Sequence, residues 1–379
     1  MRFFISSSNP ALRLGAGARA SLALGLVAIL LSTGLEMACR LGMPRISRIE
    51  RRLEEEYRAA LEVVKQPGSG LQAIVLGNSL LNAGIRFDEA HRLLLPDIDA
   101  RRLMVFDTSY CDWYYGMRRL FAEGSRPDVV ILVLTPTQLA ISKIRGNYFG
   151  YHLMRMADLF SVANDVGLSN TQTSNLAFAN LSAYFGLGGE ARKWLAGQVF
   201  ADLPGLTKWM VATGSAPLTE EQVYSTCLWR LRVLRELTAQ YGSKLVLVIP
   251  PTTGSGAEPY YAAVRRAGSL AGVSVVVPVQ PNTLGDSYYS DRGFHLNDRG
   301  AEIFTASFVE AIRRELGVIC RERTARAAQP DRPGRTETRL IDAVSIQLVN
   351  LIPGVIQTMS FKTLGIAAAQ LKAKAPGPE

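Results

Sequence analysis

Histidine is scarce in this 379-residue chain, and His91, His152 and His295 are the whole supply. Chemistry that runs on imidazole therefore has three candidates. Cysteine is nearly as sparse. Cys39, Cys111, Cys227 and Cys320 lie far apart with no C-x-x-C pair, which argues against a structural zinc site. No basic run is interleaved with aromatics, so the net charge of +9 does not mark a nucleic-acid binder. No metal or cofactor motif is present, and none is expected to be needed. Hydrophobic residues at 48% and charged residues at 20%, with 33 Gly and 18 Pro, exclude a wholly disordered, collagen-like or disulfide-scaffold chain. At this length, one large domain with attachments is the expectation.

The attachments are apolar. Ala20–Leu35 carries no charge, and between Arg19 and Arg40 only Glu36 does. About 20 apolar residues at 1.5 Å rise cross a bilayer core. A cleaved signal peptide needs a small-residue site after a shorter core, and Glu36-Met37-Ala38-Cys39-Arg40 matches poorly. Residues 20–40 are therefore expected to be a single-pass anchor, with 1–19 before it. The flanking arginines, Arg2, Arg13 and Arg19 before and Arg40, Arg45, Arg48, Arg51 and Arg52 after, are ambiguous on orientation and, taken alone, lean slightly against an exported domain. Residues 41–69 follow as a juxtamembrane helix and linker. In it Ile46, Ile49, Leu53, Tyr57, Leu61 and Val64 form one stripe, to be covered by the domain or by a partner. At the far end, 319–338 reads as a linker. The tail 339–379 is apolar, with Asp342 and Lys362 the only charges from Leu340 to Leu371. Pro353-Gly354 divides it into two short amphipathic helices, on the membrane surface, on a partner or on the domain.

Between the attachments, five short runs rich in Val, Ile and Leu do not alternate: Gln72–Leu76, Leu103–Asp107, Val129–Leu134, Lys244–Ile249 and Val273–Val277. Such runs suit strands buried on both faces of a parallel sheet. Helical patterns separate them, near Phe87–Leu95, Trp113–Glu123, Ala257–Ala271 and Asp298–Leu316. The expected fold is α/β: a three-layer α/β/α sandwich over 70–318 on a mainly parallel five-stranded sheet. Residues 140–240 are expected to form a helical insertion, with Trp194, Trp209 and Trp229 in it. It would serve as a lid, a substrate platform or a docking surface.

Two places hold candidate chemistry. Gly77-Asn78-Ser79-Leu80 leaves the first strand, where a serine hydroxyl stands at the sheet's carboxyl edge beside backbone N–H groups. Far downstream, Ser290-Asp291-Arg292-Gly293-Phe294-His295-Leu296-Asn297 precedes the last helix. An Asp and a His on one loop supply a base and its orienter together. The other reading of the serine is an N-cap for the next helix, and an Asp–His pair taken alone is a weak signal. His91, in a helical pattern, and His152, in the insertion, read as structural.

With these blocks the chain resembles the SGNH (GDSL-like) hydrolase superfamily over about residues 70–318. It is most similar to the membrane-anchored periplasmic branch that includes alginate O-acetylation proteins and the D-alanyl transfer protein of teichoic acid synthesis. Gly77-x-Ser79 matches the first block and Asp291…His295-Leu296-Asn297 the last. The resemblance implies Ser79 as nucleophile, His295 as base and Asp291 as its orienter. Three residues separate Asp291 from His295 where the family has two, so Asp286 stands in reserve. The family's oxyanion donors, a glycine and an asparagine, are missing, and Cys111 and Gln138 occupy the corresponding stretches.

The implied function is a serine-dependent O-acyltransferase, acting by O-acetyl transfer on an exported polysaccharide. Its implied partner is a membrane-embedded acyltransferase or another polysaccharide-synthesis protein. The implied place is the bacterial inner membrane, with residues 1–19 cytoplasmic and the main domain periplasmic. A carbohydrate esterase or deacetylase with the same triad is the alternative within enzymes. A non-catalytic assembly protein is the alternative outside them.

Overall fold

The computed structural model describes residues 16–66, 69–199, 218–253, 257–291 and 293–327. The apolar tail, most of the linker before it, Trp209 and Arg292 lie outside the described residues. The chain opens with helix α1, Ala16–Ile46, which is long and apolar enough to cross a membrane. Helix α2 (Arg48–Leu61) follows, its first turn capped by the Ser47 hydroxyl, which accepts the Glu50 N–H at 3.3 Å.

The domain proper alternates strand and helix. Strand β1 (Leu71–Gly77) leads to α3 (Ser79–Gly84) and α4 (Phe87–Leu94). Strand β2 (Ile98–Met104) leads to α5 (Tyr110–Ala122), and β3 (Val129–Val133) to α6 (Pro136–Ala140). An excursion of α7 (Gly146–His152), α8 (Leu159–Val166), α9 (Asn170–Leu181) and α10 (Ala183–Val199) comes next. Helix α11 (Glu220–Gln240), β4 (Lys244–Val248), α12 (Ala257–Ala271), β5 (Ser274–Val276) and α13 (Asp298–Ala327) complete the described chain.

All five strands are parallel, in the order β2-β1-β3-β4-β5. Successive side chains of a strand point to opposite faces, so a strand inside two helical layers must be apolar on both. Leu71, Ala73 and Val75 join one core with Phe304, Phe308 and Ile312 of α13, while Ile74 and Leu76 join the other with Trp113, Phe121 and Leu234. The result is the expected three-layer sandwich. The order reverses between β1 and β3, and the crevice at the carboxyl ends of such a switch point is where ligands bind in open α/β sheets.

Three details differ from the sequence reading. The second strand is Ile98–Met104, not Leu103–Asp107. As one of the sheet's two edge strands it pairs, among the described residues, with β1 alone, and it carries Asp99, Arg101 and Arg102 at positions that are not fully buried. The apolar pattern therefore misplaced it. The buried face of α2 is Glu50, Leu53, Glu56 and Ala60, while Ile46, Ile49 and Val64 stay exposed. Leu53, Tyr57 and Leu61 of the stripe do pack on the core, and two carboxylates share that side because each has donors waiting. Glu56 accepts the Met104 N–H at 2.8 Å and Arg102 Nη2 at 2.7 Å, and Glu50 accepts the Tyr148 hydroxyl at 2.6 Å. Finally, α11 packs on β4 and α12 and so belongs to the sandwich rather than to the excursion.

The excursion is tied to the domain by Asp112. This buried carboxylate accepts the Ser109 N–H at 2.8 Å on one oxygen and the Arg145 N–H at 2.8 Å on the other. Complete burial outweighs these bonds and pushes its pKa up to about 7.

Two measurements follow from these carboxylates. Glu56→Ala leaves Arg102 and the Met104 N–H without their partner and should cost about 3 kcal/mol of stability. Denaturant unfolding should show this, with exposed Glu55→Ala within about 0.5 kcal/mol of the parent. Asp112 is raised, so between its unfolded pKa, about 4, and about 7 the folded chain holds a proton that the unfolded chain releases. Stability should fall as pH rises through that window. Asp112→Asn should flatten the profile there, and an unchanged slope would refute the assignment.

Candidate active site

Ser79 is the first residue of α3, directly after β1. Asn78 builds the turn: its Oδ1 accepts the Leu80 N–H at 3.0 Å, and its Nδ2 donates to the Thr108 carbonyl at 2.9 Å, in the loop after β2. Gly77 is required for space. A Cβ there would stand 2.9 Å from the Leu81 Cβ and 3.1 Å from the Val133 carbonyl oxygen, so α3 could not fold back against the strand.

His295 arrives from the loop between β5 and α13. The loop closes on itself, with Tyr289 bridged to Leu296 and the Ser290 N–H donating to the His295 carbonyl at 2.9 Å. Asn297 ends it. The Asn297 Oδ1 accepts the Arg299 and Gly300 N–H groups at 3.1 Å each, capping α13, while its Nδ2 donates to Ser287 O at 2.7 Å. Gly293, at φ 82°, packs against the Thr253 side chain, and its carbonyl accepts the Thr253 N–H at 2.9 Å. The loop after β4 thus supports the histidine loop. Helix α13 is in turn held beside the serine turn: Arg86 N–H donates to Thr305 Oγ1 at 2.9 Å, and Phe304 fills the space over Gly84.

These constraints bring together groups 216 residues apart. His295 Nε2 lies 2.9 Å from Ser79 Oγ. His295 Nδ1 lies 2.5 Å from Asp291 Oδ2. The other oxygen of Asp291 accepts the His295 N–H at 2.7 Å and the Phe294 N–H at 3.0 Å. Burial alone would raise the Asp291 pKa, but the bonds from His295 and Phe294 outweigh it and hold the carboxyl below its ordinary range. The site is open: the imidazole is 30% exposed and the Asp291 side chain 44%. The Phe294 ring stands edge-on to the imidazole at 4.8 Å.

The remaining candidates fall elsewhere. Asp286, the reserve orienter, lies exposed in the turn Asp286–Tyr288, and the partner of His295 Nδ1 is Asp291. The wider Asp–His spacing works because the carboxylate reaches across one turn of its own loop. Gln138 uses its side-chain oxygen to accept the Thr135 N–H at 3.0 Å, capping α6. Cys111 is buried in the first turn of α5, where desolvation pushes its thiol up to about 11. Among the described residues, neither Gln138 nor Cys111 hydrogen-bonds to Ser79 or His295. His91 faces Asp99 at 3.8 Å and His152 faces Glu50 at 3.1 Å, so both serve structural carboxylates. Among the described residues no group of three His, Cys, Asp or Glu could hold a metal ion. The sequence reading quoted Asn78 and Asn297 in their blocks without a structural role, and gave none to Asp112. An Asn directly before a helical run is an N-cap signal and makes the first two legible; Ser109-x-x-Asp112 is a capping-box pattern that marks the third, though not its bond to Arg145.

A cleft of about 370 Å³ lies between the loop after β2 and the excursion, lined by Asp107, Arg145, Tyr148, Glu190, Arg192 and Lys193 among others. Ser79, Asp291 and His295 are not in its wall.

No protein-family model matches the chain, and no curated protein does. Among solved structures, it is similar to the salicylyl-acyltransferase SsfX3 from a tetracycline biosynthetic pathway at 14% identity and a TM-score of 0.31. That match covers 68% of this chain and 57% of the acyltransferase. It is also similar to a carbohydrate esterase whose active site displays divergent catalytic and non-catalytic binding functions, at 12% identity and a TM-score of 0.31, over 67% of this chain and 68% of the esterase. At these values the matches assign no reaction to this chain.

Proposed function

We propose that this protein is a serine-dependent O-acyltransferase, with Ser79 the nucleophile, His295 the general base and Asp291 its orienter. One observation carries the reading: the unbroken chain from Ser79 Oγ to His295 Nε2 at 2.9 Å and from His295 Nδ1 to Asp291 Oδ2 at 2.5 Å. Nucleophile, base and orienter in hydrogen-bond reach, at the carboxyl edge of a parallel sheet, form the working unit of serine acyl chemistry. The same distance favours an enzyme over a purely docking protein.

In the reaction, Asp291 fixes the imidazole with Nδ1 protonated. Nε2 then takes the hydroxyl proton as Ser79 Oγ attacks the acyl carbonyl. The Ser79 N–H starts α3, where first-turn amides have no acceptor inside the helix, and it is our choice for an oxyanion donor. The proton passes from Nε2 to the leaving group, and an acyl-serine remains. An acceptor hydroxyl, deprotonated by the same nitrogen, attacks the ester and restores the serine. The open site admits water as well, so slow hydrolysis is expected when no acceptor is present. That makes the esterase reading a matter of acceptor rather than of residues.

The resemblance to the anchored SGNH branch supports an exported polysaccharide as acceptor, with a membrane-embedded acyltransferase as partner. It also supports a periplasmic domain behind a single-pass anchor. The N-terminal helix has the length and composition for that anchor.

Hydrolysis of an activated acetyl ester by the full-length protein in detergent tests the assignment. Ser79→Ala and His295→Ala should each lower kcat at least about 10³-fold, and the double variant should be little worse, because the two act as a unit. Asp291→Asn should also be strongly impaired and Asp286→Asn should match the parent. Loss of activity in Asp286→Asn with Asp291→Asn unaffected would move the orienter to Asp286. Full activity in Ser79→Ala would remove the proposal.

A further inference from the structure

The anchor helix is fixed to the excursion. The Glu36 carboxylate, at the end of the uncharged run, accepts the Ser182 hydroxyl at 2.6 Å, the Ala183 N–H at 2.9 Å and the Tyr184 N–H at 3.1 Å. Two of these donors are first-turn amides of α10, which lack acceptors inside the helix. A carboxylate also complements the positive end of the helix. Arg40, which pairs with Glu36 at 2.5 Å, donates to the Leu181 carbonyl at 3.2 Å. On its other side the α9–α10 corner is held to α7: Asn180 Nδ2 donates to the Gly150 and Met154 carbonyls at 2.8 Å each, and Gly186 packs against the Tyr151 ring. The corner is therefore a rigid joint between anchor and domain.

That joint displays apolar side chains. Phe178 is 53% exposed, Leu181 64%, Tyr184 45% and Phe185 45%. The Phe178 and Phe185 rings stack at 5.5 Å, and Tyr184 meets Phe185 edge-on at 5.6 Å, so the corner presents one continuous surface. Its height relative to a membrane is set by α1. Counting back from Glu36, the residues from Ala16 to Leu35 include one charge, Arg19, at the outer end, where a long cation reaches the headgroups. About 20 residues at 1.5 Å make roughly the 30 Å of a hydrocarbon core. Glu36 and Arg40 thus mark the boundary of the span, and the residues they bind lie at that boundary. Aromatic side chains with one polar edge favour that layer.

Resting on the membrane-anchor reading above, we propose that the α9–α10 corner, Phe178–Phe185, is a second membrane contact. It is seated in the headgroup layer of the same bilayer that α1 crosses, and its ligand is lipid. The domain is then held at two points, and the rigid Glu36 joint fixes its tilt instead of leaving it on a flexible tether.

Nitroxide labels on the full-length protein in phosphatidylcholine–phosphatidylglycerol vesicles test this. Labels would be placed singly at Leu181→Cys, Phe185→Cys, Leu26→Cys in the span and Trp229→Cys on α11, which is exposed at 56%. Spectra would be referenced to the labelled parent to remove signal from the native cysteines. Collision with oxygen, which concentrates in lipid, is compared with collision with a water-soluble nickel chelate. Labels at 181 and 185 should show a several-fold higher oxygen-to-nickel ratio than the label at 229, and a lower one than the label at 26. A lipid-like ratio at 26 with a water-like ratio at 181 and 185 overturns this proposal and leaves the anchor standing. Shielding of 181 and 185 from both reagents overturns it in favour of a protein partner. A water-like ratio at 26 overturns the anchor reading and this proposal with it.

Discussion

Asp291 does two jobs with two oxygens, and the site depends on both. One oxygen accepts the Phe294 and His295 N–H groups and so folds the loop. The other meets His295 Nδ1 and so turns the ring. With the loop closed and the ring turned, Nε2 has one direction left, toward Ser79. The neighbouring contacts keep that arrangement in place. Thr253 braces the loop at Gly293, Asn297 joins it to the start of α13, and α13 lies against α3 through Phe304 and is bonded through Thr305 to Arg86, at the start of α4. The sheet order supplies the setting, because the reversal between β1 and β3 leaves a crevice where the serine turn emerges.

The same device recurs at other joints of the molecule. Glu36 accepts amides at the start of α10, Glu56 accepts the Met104 amide at the end of the edge strand, and Asp112 accepts the Arg145 amide where the excursion begins. Each join therefore uses a carboxylate that takes backbone N–H groups left over where regular structure starts or stops. Such groups must be satisfied when buried, and a carboxylate bond is stronger than a neutral one. At Asp112 the two amides offset only part of the cost of complete burial, and the pKa stays raised to about 7.

Much of this was legible in the sequence where a signal is local. Unalternating Val, Ile and Leu runs identified β1, β3 and β4, because a strand covered on both faces has no polar side. Of the two edge strands, β5 was found by its run, while β2 escaped because it carries Asp99, Arg101 and Arg102. The stripe on α2 was legible for Leu53, Tyr57 and Leu61, which pack on the core, but the burial of Glu50 and Glu56 is set by donors on β2 and α7 that no helical period reveals. Ser79, Asp291 and His295 stood out because each sits in a short block next to a strand or helix end. Glu36 stood in the sequence only as the one charge between Arg19 and Arg40, and its partners Ser182–Tyr184 lie 146 and more residues away. The apolar tail was equally prominent in the sequence and lies outside the described residues.

The central claim is that Ser79 carries an acyl group. It is tested most directly by mixing the full-length protein with an activated acetyl ester, quenching in acid within the first turnover, and mapping the peptides by mass spectrometry. One acetyl group is expected on the Ser79 peptide, building up in His295→Ala far more slowly than in the parent and absent from Ser79→Ala. Acetylation confined to other residues, or equal labelling of the Ser79→Ala chain, would contradict it.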